Sequence, residues 1–352
     1  MTSHQPVARE TAYPAAGGYP KNQWYVAAFS REVQPGAPLR RILLDTPVLL
    51  YRTEAGQPAA LYDRCPHRGA PLSNGKQIGD EIQCGYHGIR FGRDGRCAHV
   101  PSQPGTPAAM SVNSYPLVEK WKWIWIWLGD PAKADVDLIP DHDWLMLSDD
   151  NLITTPFFAV ELACNYQIFN DNLLDASHLS YVHLGSLDNG GIASAKYQIK
   201  EEGRSIFLRR DEPGVTYEEP LASFFGCKPG VKYNRVHTTE AYMPSTHIAK
   251  QWMQQADDPD VPPSLLCAIN ALTPGDSRTT HAFHAMVSNY PGPEAPQSIE
   301  YARGIIKEDE VVVEAIQRDF DERGDTREIS VAADRAGMLA RRMVQRLIDE
   351  EA

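Results

Sequence analysis

Long apolar runs are absent from this 352-residue chain, and so is a surplus of basic residues. Without a stretch of about 20 apolar residues, no membrane-spanning helix is expected. The first residues contain no apolar core of the kind that a secretory signal has, so we expect a cytoplasmic protein. The formal net charge of −12 argues against nucleic-acid binding, because little positive charge is available to neutralise phosphates.

Cysteine is also scarce, with six residues in the whole chain. Six thiols in a chain of this length, in a reducing cytoplasm, do not indicate a disulfide framework. The 42% hydrophobic and 23% charged content is typical of a globular protein with two domains or one large one. The chain has no G-x-G-x-x-G motif, so the sequence gives no sign of a dinucleotide-binding domain.

Two short loops each combine one cysteine with one histidine. The first reads C-P-H-R-G-A-P and supplies Cys65 and His67, and the second reads C-G-Y-H-G and supplies Cys84 and His87. Two thiolates and two imidazoles fit either a tetrahedral zinc site or a Rieske [2Fe–2S] cluster. Zinc fingers pair like ligands in sequence, whereas each loop here carries one of each kind. This arrangement favours the cluster, and a zinc ribbon is the alternative.

The composition divides the chain into a flexible tail over residues 1–18, a first domain over 19–140 and a second over 141–352. Short segments that alternate or concentrate apolar residues predict an all-β first domain. Its predicted strands include Trp24–Phe29, Leu43–Tyr51, Ala59–Asp63 and Trp121–Trp127. The alternating tryptophans of the last segment indicate a buried strand rather than an aromatic electron path.

The second domain mixes strand-like and helical segments, which predicts an α+β fold with an antiparallel sheet. Its apolar periodicity ends in an amphipathic helix over Asp334–Glu350. The predicted strands are Leu152–Leu162, Ser205–Arg209, Arg235–Tyr242, Ser264–Thr273 and Thr279–Val287.

The segment N-L-L-D-A-S-H-L-S-Y-V-H, residues 172–183, offers a second metal site. On a helix, Asn172, Asp175 and His178 would share one face. His183 would not, so both imidazoles can reach one metal only if the helix ends or bulges between them. An imidazole pair suits a divalent iron with open positions. The alternative is an ordinary amphipathic helix with two incidental histidines.

A third ligand of carboxylate type would complete such an iron site. Residues 308–310 are three consecutive acids at a predicted helix start. From Asp309, the positions three, four, seven and eleven residues on are all apolar, so Asp309 is predicted to face the core. A buried carboxylate is costly unless it is paired or binds a metal. The alternative is that all three acids merely complement the helix N-terminus.

Together, the cysteine–histidine loops and the later D-x-x-H-x-x-x-x-H segment resemble the oxygenase (alpha) component of Rieske non-haem iron oxygenases. The strings N-L-L-D-A-S-H, L-T-P and E-D-E-V-V-V-E-A-I are similar to the vanillate and dicamba O-demethylase subgroup. The resemblance implies an all-β Rieske domain followed by an α+β domain of helix-grip type. It implies that Cys65, His67, Cys84 and His87 hold the [2Fe–2S] cluster.

The resemblance also implies roles for the second segment. His178, His183 and Asp309 would hold one mononuclear Fe(II), and Asn172 would lie near the iron. Asp175 would be a bridging acid between a cluster histidine and an iron-ligating histidine. In such a family the chain forms a head-to-tail homotrimer, so that the cluster of one subunit serves the iron of the next.

The implied reaction uses O2 and electrons from NAD(P)H that arrive through a separate reductase or ferredoxin. It would hydroxylate or O-demethylate a substituted aromatic compound, for example one similar to methoxybenzoate. Rough alignment implies substrate contacts from Asn234 and Asn270, and His284 is a further candidate. Asn270 replaces a histidine, which puts a benzoate in doubt. The alternatives are another aromatic or N-methyl substrate, or an electron carrier without catalytic iron, which would need only the first domain.

Overall fold

The computed structural model describes residues 9–12, 18–141, 153–154, 158–291 and 295–351. Most of the predicted tail and the start of the second predicted domain therefore lie outside the described residues. A short strand, Arg9–Ala12, lies within the predicted tail. It pairs antiparallel with Arg327–Ser330 near the other end of the chain. The predicted domain boundary near residue 140 remains a prediction.

The N-terminal part folds into small antiparallel sheets, which confirms its predicted all-β character. The tryptophan-rich strand Trp123–Trp127 lies between Trp24–Phe29 and Leu117–Lys120. The second cysteine–histidine loop connects Glu81–Gln83 to Arg90–Phe91. The remaining strands of this part are Leu39–Leu43, Thr46–Arg52, Pro58–Tyr62, Lys76–Ile78 and Cys97–His99. Its 3₁₀ turns are Ser30–Glu32, Leu72–Asn74, Pro131–Lys133 and Val136–Leu138.

Two of the predicted strands begin later than the sequence pattern indicated. Leu44 and Asp45 form a turn with φ of 51° and 60°, so the strand predicted from Leu43 begins at Thr46. Trp121 and Lys122 form a similar turn with φ of 57° and 67° before the tryptophan-rich strand. Each turn contains one apolar residue, Leu44 or Trp121, which made it look like part of a strand. Turn positions with positive φ are usually occupied by Gly or Asn, so the sequence did not indicate a chain reversal here.

The C-terminal part is built on one large antiparallel sheet, as predicted for an α+β fold. Its strands lie in the order Ile153–Thr154, Thr279–Ser288, Ser264–Asp276, Thr246–Gln255, Lys232–Tyr242, Ser205–Thr216 and Tyr197–Glu202, with Phe158–Leu162 also paired to the second of these. The helices of this part are Tyr166–Leu174 (the site helix), Leu221–Phe224, Ala295–Arg323 (the long helix) and Arg335–Asp349 (the closing helix). Its 3₁₀ turns are Ala176–Ser180, Ile192–Ser194 and Ala332–Asp334.

The prediction of one helix through Asn172, Asp175 and His178 is wrong. The site helix ends at Leu174, and Asp175 is extended, with φ of −114° and ψ of 90°. The Asp175 carboxylate accepts a hydrogen bond from the Ser177 N–H at 2.9 Å and so begins the 3₁₀ turn Ala176–Ser180. Aspartate side chains compete in this way with helix continuation. The 3₁₀ turn that contains His178 itself ends at Ser180, so the helix end predicted between His178 and His183 is present, in addition to the break at Asp175.

The two parts of the chain share their apolar core. Trp123, Trp125 and Trp127 are at most 1% exposed and belong to a buried cluster that also contains Phe283 of the large sheet. The hydroxyl of Thr273 donates to the carbonyl oxygen of Val26 at 2.7 Å. The burial of the tryptophans in this shared cluster supports their interpretation as packing residues. Within the described ranges, no helix has the length and apolar character needed to cross a membrane.

Candidate metal centres and catalytic cavity

Both cysteine–histidine loops close with the same main-chain hydrogen bonds. The N–H of Cys65, and likewise that of Cys84, donates to the carbonyl oxygen five residues further on at 2.8 Å. The N–H groups of Gly69 and Gly88 donate back to the carbonyls of these cysteines at 2.9 and 3.0 Å. Both glycines have positive φ, 79° and 71°, which glycine adopts without strain. Two different sequences thus form equivalent main-chain turns around the cysteine, with the histidine two residues later in the first loop and three residues later in the second.

The four side chains of these loops are arranged as one buried pair and one exposed pair. Cys65 and Cys84 are each 2% exposed, and burial raises the pKa of the Cys65 thiol to about 11. The rings of His67 and His87 are exposed, with centroids 4.6 Å apart. A thiol pair behind an imidazole pair fits a cluster in which each pair binds a different iron.

The donor spacing of these loops does not fit a single zinc ion. The four ligand atoms of a tetrahedral zinc site lie about 4 Å or less from one another. In the described part of the chain, one group of three histidine, cysteine or acidic residues has all its ligand atoms within 4.8 Å of one another, and this group is in the C-terminal part. The zinc ribbon is therefore disfavoured by the geometry of the loops.

That group consists of His178, His183 and Asp309. Oδ1 of Asp309 lies 3.0 Å from Nε2 of His183 and 3.6 Å from Nε2 of His178. His183 is 1% exposed and Asp309 is 3% exposed. The 3₁₀ turn supplies His178, the following segment supplies His183, and the long helix supplies Asp309. Two imidazoles and one carboxylate around a common point are the donor set of non-haem Fe(II) sites that retain open positions.

The outer nitrogen of each imidazole is held by an oxygen atom. Nδ1 of His178 lies 2.5 Å from the main-chain oxygen of Asp175, and Nδ1 of His183 lies 2.7 Å from Oε2 of Glu308. Donation from Nδ1 leaves both Nε2 lone pairs directed towards Asp309. Burial lowers the pKa of His178. For His183 burial acts in the same direction, but the Asp309 and Glu308 carboxylates outweigh it and raise the pKa.

Asn172 and Asp175 both lie beside this group, in different relations to it. The side-chain amide of Asn172 donates to Oδ1 of Asp309 at 3.0 Å. The Asp175 carboxylate accepts from Ser177 and lies 3.6 Å from Arg210. Its main-chain oxygen, rather than the predicted carboxylate, contacts His178. Among the described hydrogen bonds of one chain, none joins Asp175 to His87.

An apolar cavity of about 120 Å³ opens onto the three convergent donors. The large sheet, the 3₁₀ turn and the long helix enclose it. An apolar cavity of about 150 Å³ takes up benzene in a protein interior, so this cavity is somewhat smaller than one known to hold a single ring. Its apolar walls include Phe158, Leu179, Phe224, Phe225, Leu266, Ala268, Met286 and Ile305.

The polar side chains of the cavity occur as hydrogen-bonded pairs on the sheet. Nδ1 of His284 lies 2.5 Å from Oδ1 of Asn270, and the amide of Gln251 contacts Nδ1 of His237. Burial lowers the pKa of both histidines to about 3. The structure thus places Asn270 and His284 next to each other in the cavity wall, and their contact with a substrate stays a prediction.

Asn234 does not belong to this group, and its predicted place in the pocket is wrong. Side chains alternate between the faces of a strand. His237 lies at an odd offset from Asn234 and faces the cavity, so Asn234 faces away from it. Asn234 is exposed, and its Oδ1 accepts a hydrogen bond from the N–H of Gly214 at 3.2 Å.

Two family models match the chain in the positions that the geometry indicates. Residues 23–116 match the Rieske [2Fe–2S] domain. Residues 162–350 match the vanillate O-demethylase oxygenase C-terminal domain.

The dicamba O-demethylase oxygenase component of Stenotrophomonas maltophilia is 33% identical over 341 residues, which cover 94% of this chain and 98% of that protein. The chloroacetanilide N-alkylformylase oxygenase component of Rhizorhabdus wittichii is also 33% identical, covering 94% of this chain and 96% of that protein. The crystal structure of dicamba monooxygenase bound to 3,6-dichlorosalicylic acid matches with a TM-score of 0.85 at 31% identity, covering 95% of this chain and 99% of that one.

This chain belongs to the Rieske non-haem iron oxygenases. It resembles the oxygenase components of the vanillate and dicamba O-demethylase subgroup over nearly its whole length. As a Rieske non-haem iron oxygenase it is an oxidoreductase with two cofactors, a [2Fe–2S] cluster and a mononuclear iron. The two donor sets described above fit these groups in number, element and burial.

Three residues of this Rieske oxygenase contribute to the site without having been predicted from the sequence. Glu308 holds His183, Gln251 lines the cavity, and the fully buried Arg235 donates to Oε1 of Gln251 at 2.8 Å. Arg235 lies between Tyr233 and His237 on the same face of a strand, so its position could have indicated a buried ion pair. Glu308 directly precedes Asp309, so its position could have indicated a contact with the same metal site.

Proposed function

We propose that the protein is the terminal oxygenase of a multicomponent monooxygenase that hydroxylates or O-demethylates a substituted aromatic compound. The observation that carries this proposal is the position of His178, His183 and Asp309 at an apolar cavity close in volume to one that takes up benzene. Electrons would come from NAD(P)H through a separate reductase or ferredoxin. A cytoplasmic location is part of the same proposal.

Cys65 and Cys84 would hold one iron of the cluster, and His67 and His87 would hold the other. This assignment rests on the equivalent turns of the two loops and on the pairing of like donors. Imidazole ligands raise the reduction potential of such a cluster relative to one with four cysteines. The exposure of both imidazoles leaves that side of the cluster available for contact with another protein surface.

His178, His183 and Asp309 would hold the mononuclear iron, which supplies O2 activation when it is bound. The protein contributes orientation and exclusion of water. The outer hydrogen bonds of both imidazoles fix the direction of Nε2, and Asn172 fixes Asp309. The apolar walls of the cavity would hold an aromatic ring beside the metal and keep water from reactive species.

Asp175 would bridge the two metal centres across a subunit interface in a homotrimer. Its carboxylate is partly exposed beside the iron-site turn, and His87 is exposed at the cluster. None of the described hydrogen bonds of one chain joins them, and the proposed contact would form between two copies. The bridge would then run from His87 through the Asp175 residue to His178, whose ring contacts the main-chain oxygen of Asp175.

The attacked position would be a C–H bond next to oxygen, as in an aryl methyl ether. One named relative, an O-demethylase, supports this choice, whereas another, an N-alkylformylase, supports attack next to nitrogen. Oxidation of a carbon next to nitrogen, or hydroxylation of the ring or a side chain, is the alternative. An electron carrier without catalytic iron would have no use for the cavity or the three donors beside it.

The test combines metal analysis with turnover. Protein reconstituted anaerobically should contain about three irons and two sulfides per chain, as one Rieske cluster and one mononuclear site require. A panel of methoxyarenes with a surrogate reductase should then release formaldehyde. Two irons per chain together with no turnover would support the electron carrier instead, and hydroxylated products without formaldehyde would support ring or side-chain hydroxylation.

A further inference from the structure

His284 is a buried polar side chain of the cavity with one ring nitrogen unused. The residue is 3% exposed, and its ring stacks on Phe158 with centroids 4.9 Å apart and an interplanar angle of 28°. Nδ1 contacts Oδ1 of Asn270 on the neighbouring strand. Nε2 is buried and has no hydrogen-bond partner among the described residues. Buried polar atoms usually have partners, so an orphan atom in a cavity wall suggests that a ligand supplies one.

The contact with Asn270 determines which nitrogen carries the proton. A carboxamide oxygen can only accept, so Nδ1 must be the donor and Nε2 of the neutral ring must be an acceptor. The ring is enclosed and stacked on Phe158, and none of the ion pairs in the described part of the chain includes it. A cationic imidazole would be desolvated there without compensation. The cavity wall therefore presents a hydrogen-bond acceptor at His284.

No basic side chain of the described cavity lining is available to pair with a substrate carboxylate. None of the described residues that line the cavity is lysine or arginine. Arg235, behind Gln251, is fully buried, and its guanidinium lies 2.7 Å from Asp188 and 3.3 Å from Glu212. The side chains that line the cavity therefore offer an anionic substrate no paired charge in exchange for its lost hydration.

We infer that the substrate is an uncharged aromatic compound with an O–H or N–H group that donates a hydrogen bond to Nε2 of His284. This inference rests on the proposed function and specifies its substrate class. It separates this chain from a relative whose crystal structure contains a carboxylic acid, 3,6-dichlorosalicylic acid. His284 is then a specificity residue, and Asn270 is a positioning residue that fixes its tautomer.

Three small probes with one shared ring and one shared methoxy group test the inference. Guaiacol adds a hydroxyl donor, 1,2-dimethoxybenzene has no donor, and 2-methoxybenzoate adds a negative charge. Dissociation constants are measured by calorimetry on the iron-loaded holoenzyme without oxygen. One buried hydrogen bond of favourable geometry corresponds to about a ten-fold change in affinity. Guaiacol should therefore bind about ten-fold more tightly than either of the other probes.

Two variants change the acceptor in different ways. His284→Phe keeps an aromatic ring but removes the acceptor, so the three dissociation constants should converge. Asn270→Asp places a carboxylate against Nδ1 and stabilises the protonated ring, which makes Nε2 a donor. The order of affinities should then reverse in favour of 2-methoxybenzoate. A loss of folding cannot produce a reversed order.

His281→Phe is the matched control, because His281 lies on the same strand and contacts the main-chain oxygen of Ile42 instead of lining the cavity. It should keep the guaiacol preference. Binding of 2-methoxybenzoate as tight as that of guaiacol in the unmodified protein would overturn the inference. An unchanged preference in His284→Phe would overturn it as well.

Formaldehyde release, measured in parallel, separates this inference from the proposed function. If guaiacol binds in a His284-dependent way but releases no formaldehyde, recognition is supported and O-demethylation is contradicted. If all three probes release formaldehyde and bind equally, O-demethylation is supported and the role of His284 is overturned.

Discussion

Nδ1 of His183 lies 2.7 Å from Oε2 of Glu308, the residue directly before Asp309 on the long helix. Asp309 contacts Nε2 of the same ring at 3.0 Å. One turn of helix therefore holds a single imidazole from both sides. The hydroxyl of Ser186 also donates to Glu308, at 2.6 Å, which fixes the carboxylate that fixes the ring. Such outer hydrogen bonds orient a ligand and set its basicity.

Glu308→Gln should weaken iron binding by about 10-fold, the low end of the usual cost of changing an outer-shell partner, because the amide oxygen can still accept from His183 but the carboxylate charge is lost. The cluster should keep its visible spectrum, since Glu308 belongs to the C-terminal part. Equilibrium dialysis with Fe(II) measures the change. Glu310→Gln is the control, because Glu310 pairs with Lys307 on the helix surface. Equal iron affinity in both variants would contradict the role given to Glu308.

His178→Ala should keep the Rieske spectrum and EPR signal but abolish turnover. Its iron content should fall from about three to about two atoms per chain, because one mononuclear site is lost. Metal analysis and a single-turnover assay on the same sample measure both effects. Turnover comparable to that of the unmodified protein would remove His178 from the iron site.

Asp175→Asn should keep both metals and slow electron transfer between them. The amide oxygen of asparagine can still accept from the N–H of Ser177, so the 3₁₀ turn should form. The negative charge of the proposed bridge is lost. Rapid mixing of the reduced protein with O2 and substrate follows oxidation of the cluster. Cluster oxidation at the normal rate would exclude the bridge.

Arg235→Met should destabilise the protein by about 3–5 kcal/mol, the cost of leaving a partner of a buried ion pair without compensation. Asp188 and Glu212 are the partners concerned. Urea unfolding of the metal-loaded protein measures the loss. Arg209→Met removes an exposed pair with Asp211 and should cost about 0–1 kcal/mol. Similar losses in the two variants would show that the buried network contributes no special stability.

Residue spacing was sufficient to predict the two cysteine–histidine loops, because each ligand pair lies within one turn. Periodicity also placed Asp309 in the interior, although only half of its supporting stripe is buried. Val313 and Phe320 are 1% and 7% exposed, whereas Val312 and Ile316 are 37% and 36% exposed. The long helix is amphipathic, but its buried face is narrower than the apolar pattern suggested.

The remaining features depend on contacts between distant segments. Glu308 and His183 are 125 residues apart, and no local pattern predicts their hydrogen bond. The helix break at Asp175 depended on a choice between continuing the helix and capping the next turn, which propensity alone does not decide. For Asn234, the rough alignment placed a side chain in the pocket that strand alternation directs elsewhere.

The turn at Leu44 and Asp45 couples the folding of the two parts of the chain. Its two N–H groups donate to the carbonyl oxygens of Pro274 and Gly275 on the large sheet, both at 2.8 Å. The N-terminal part, which carries the cluster loops, is thus hydrogen-bonded through its main chain to a central strand of the C-terminal sheet. Heating should therefore melt the chain in a single calorimetric event. Chimeras that exchange only the N-terminal part between relatives would have to form these two hydrogen bonds, and the packing around them, in order to fold.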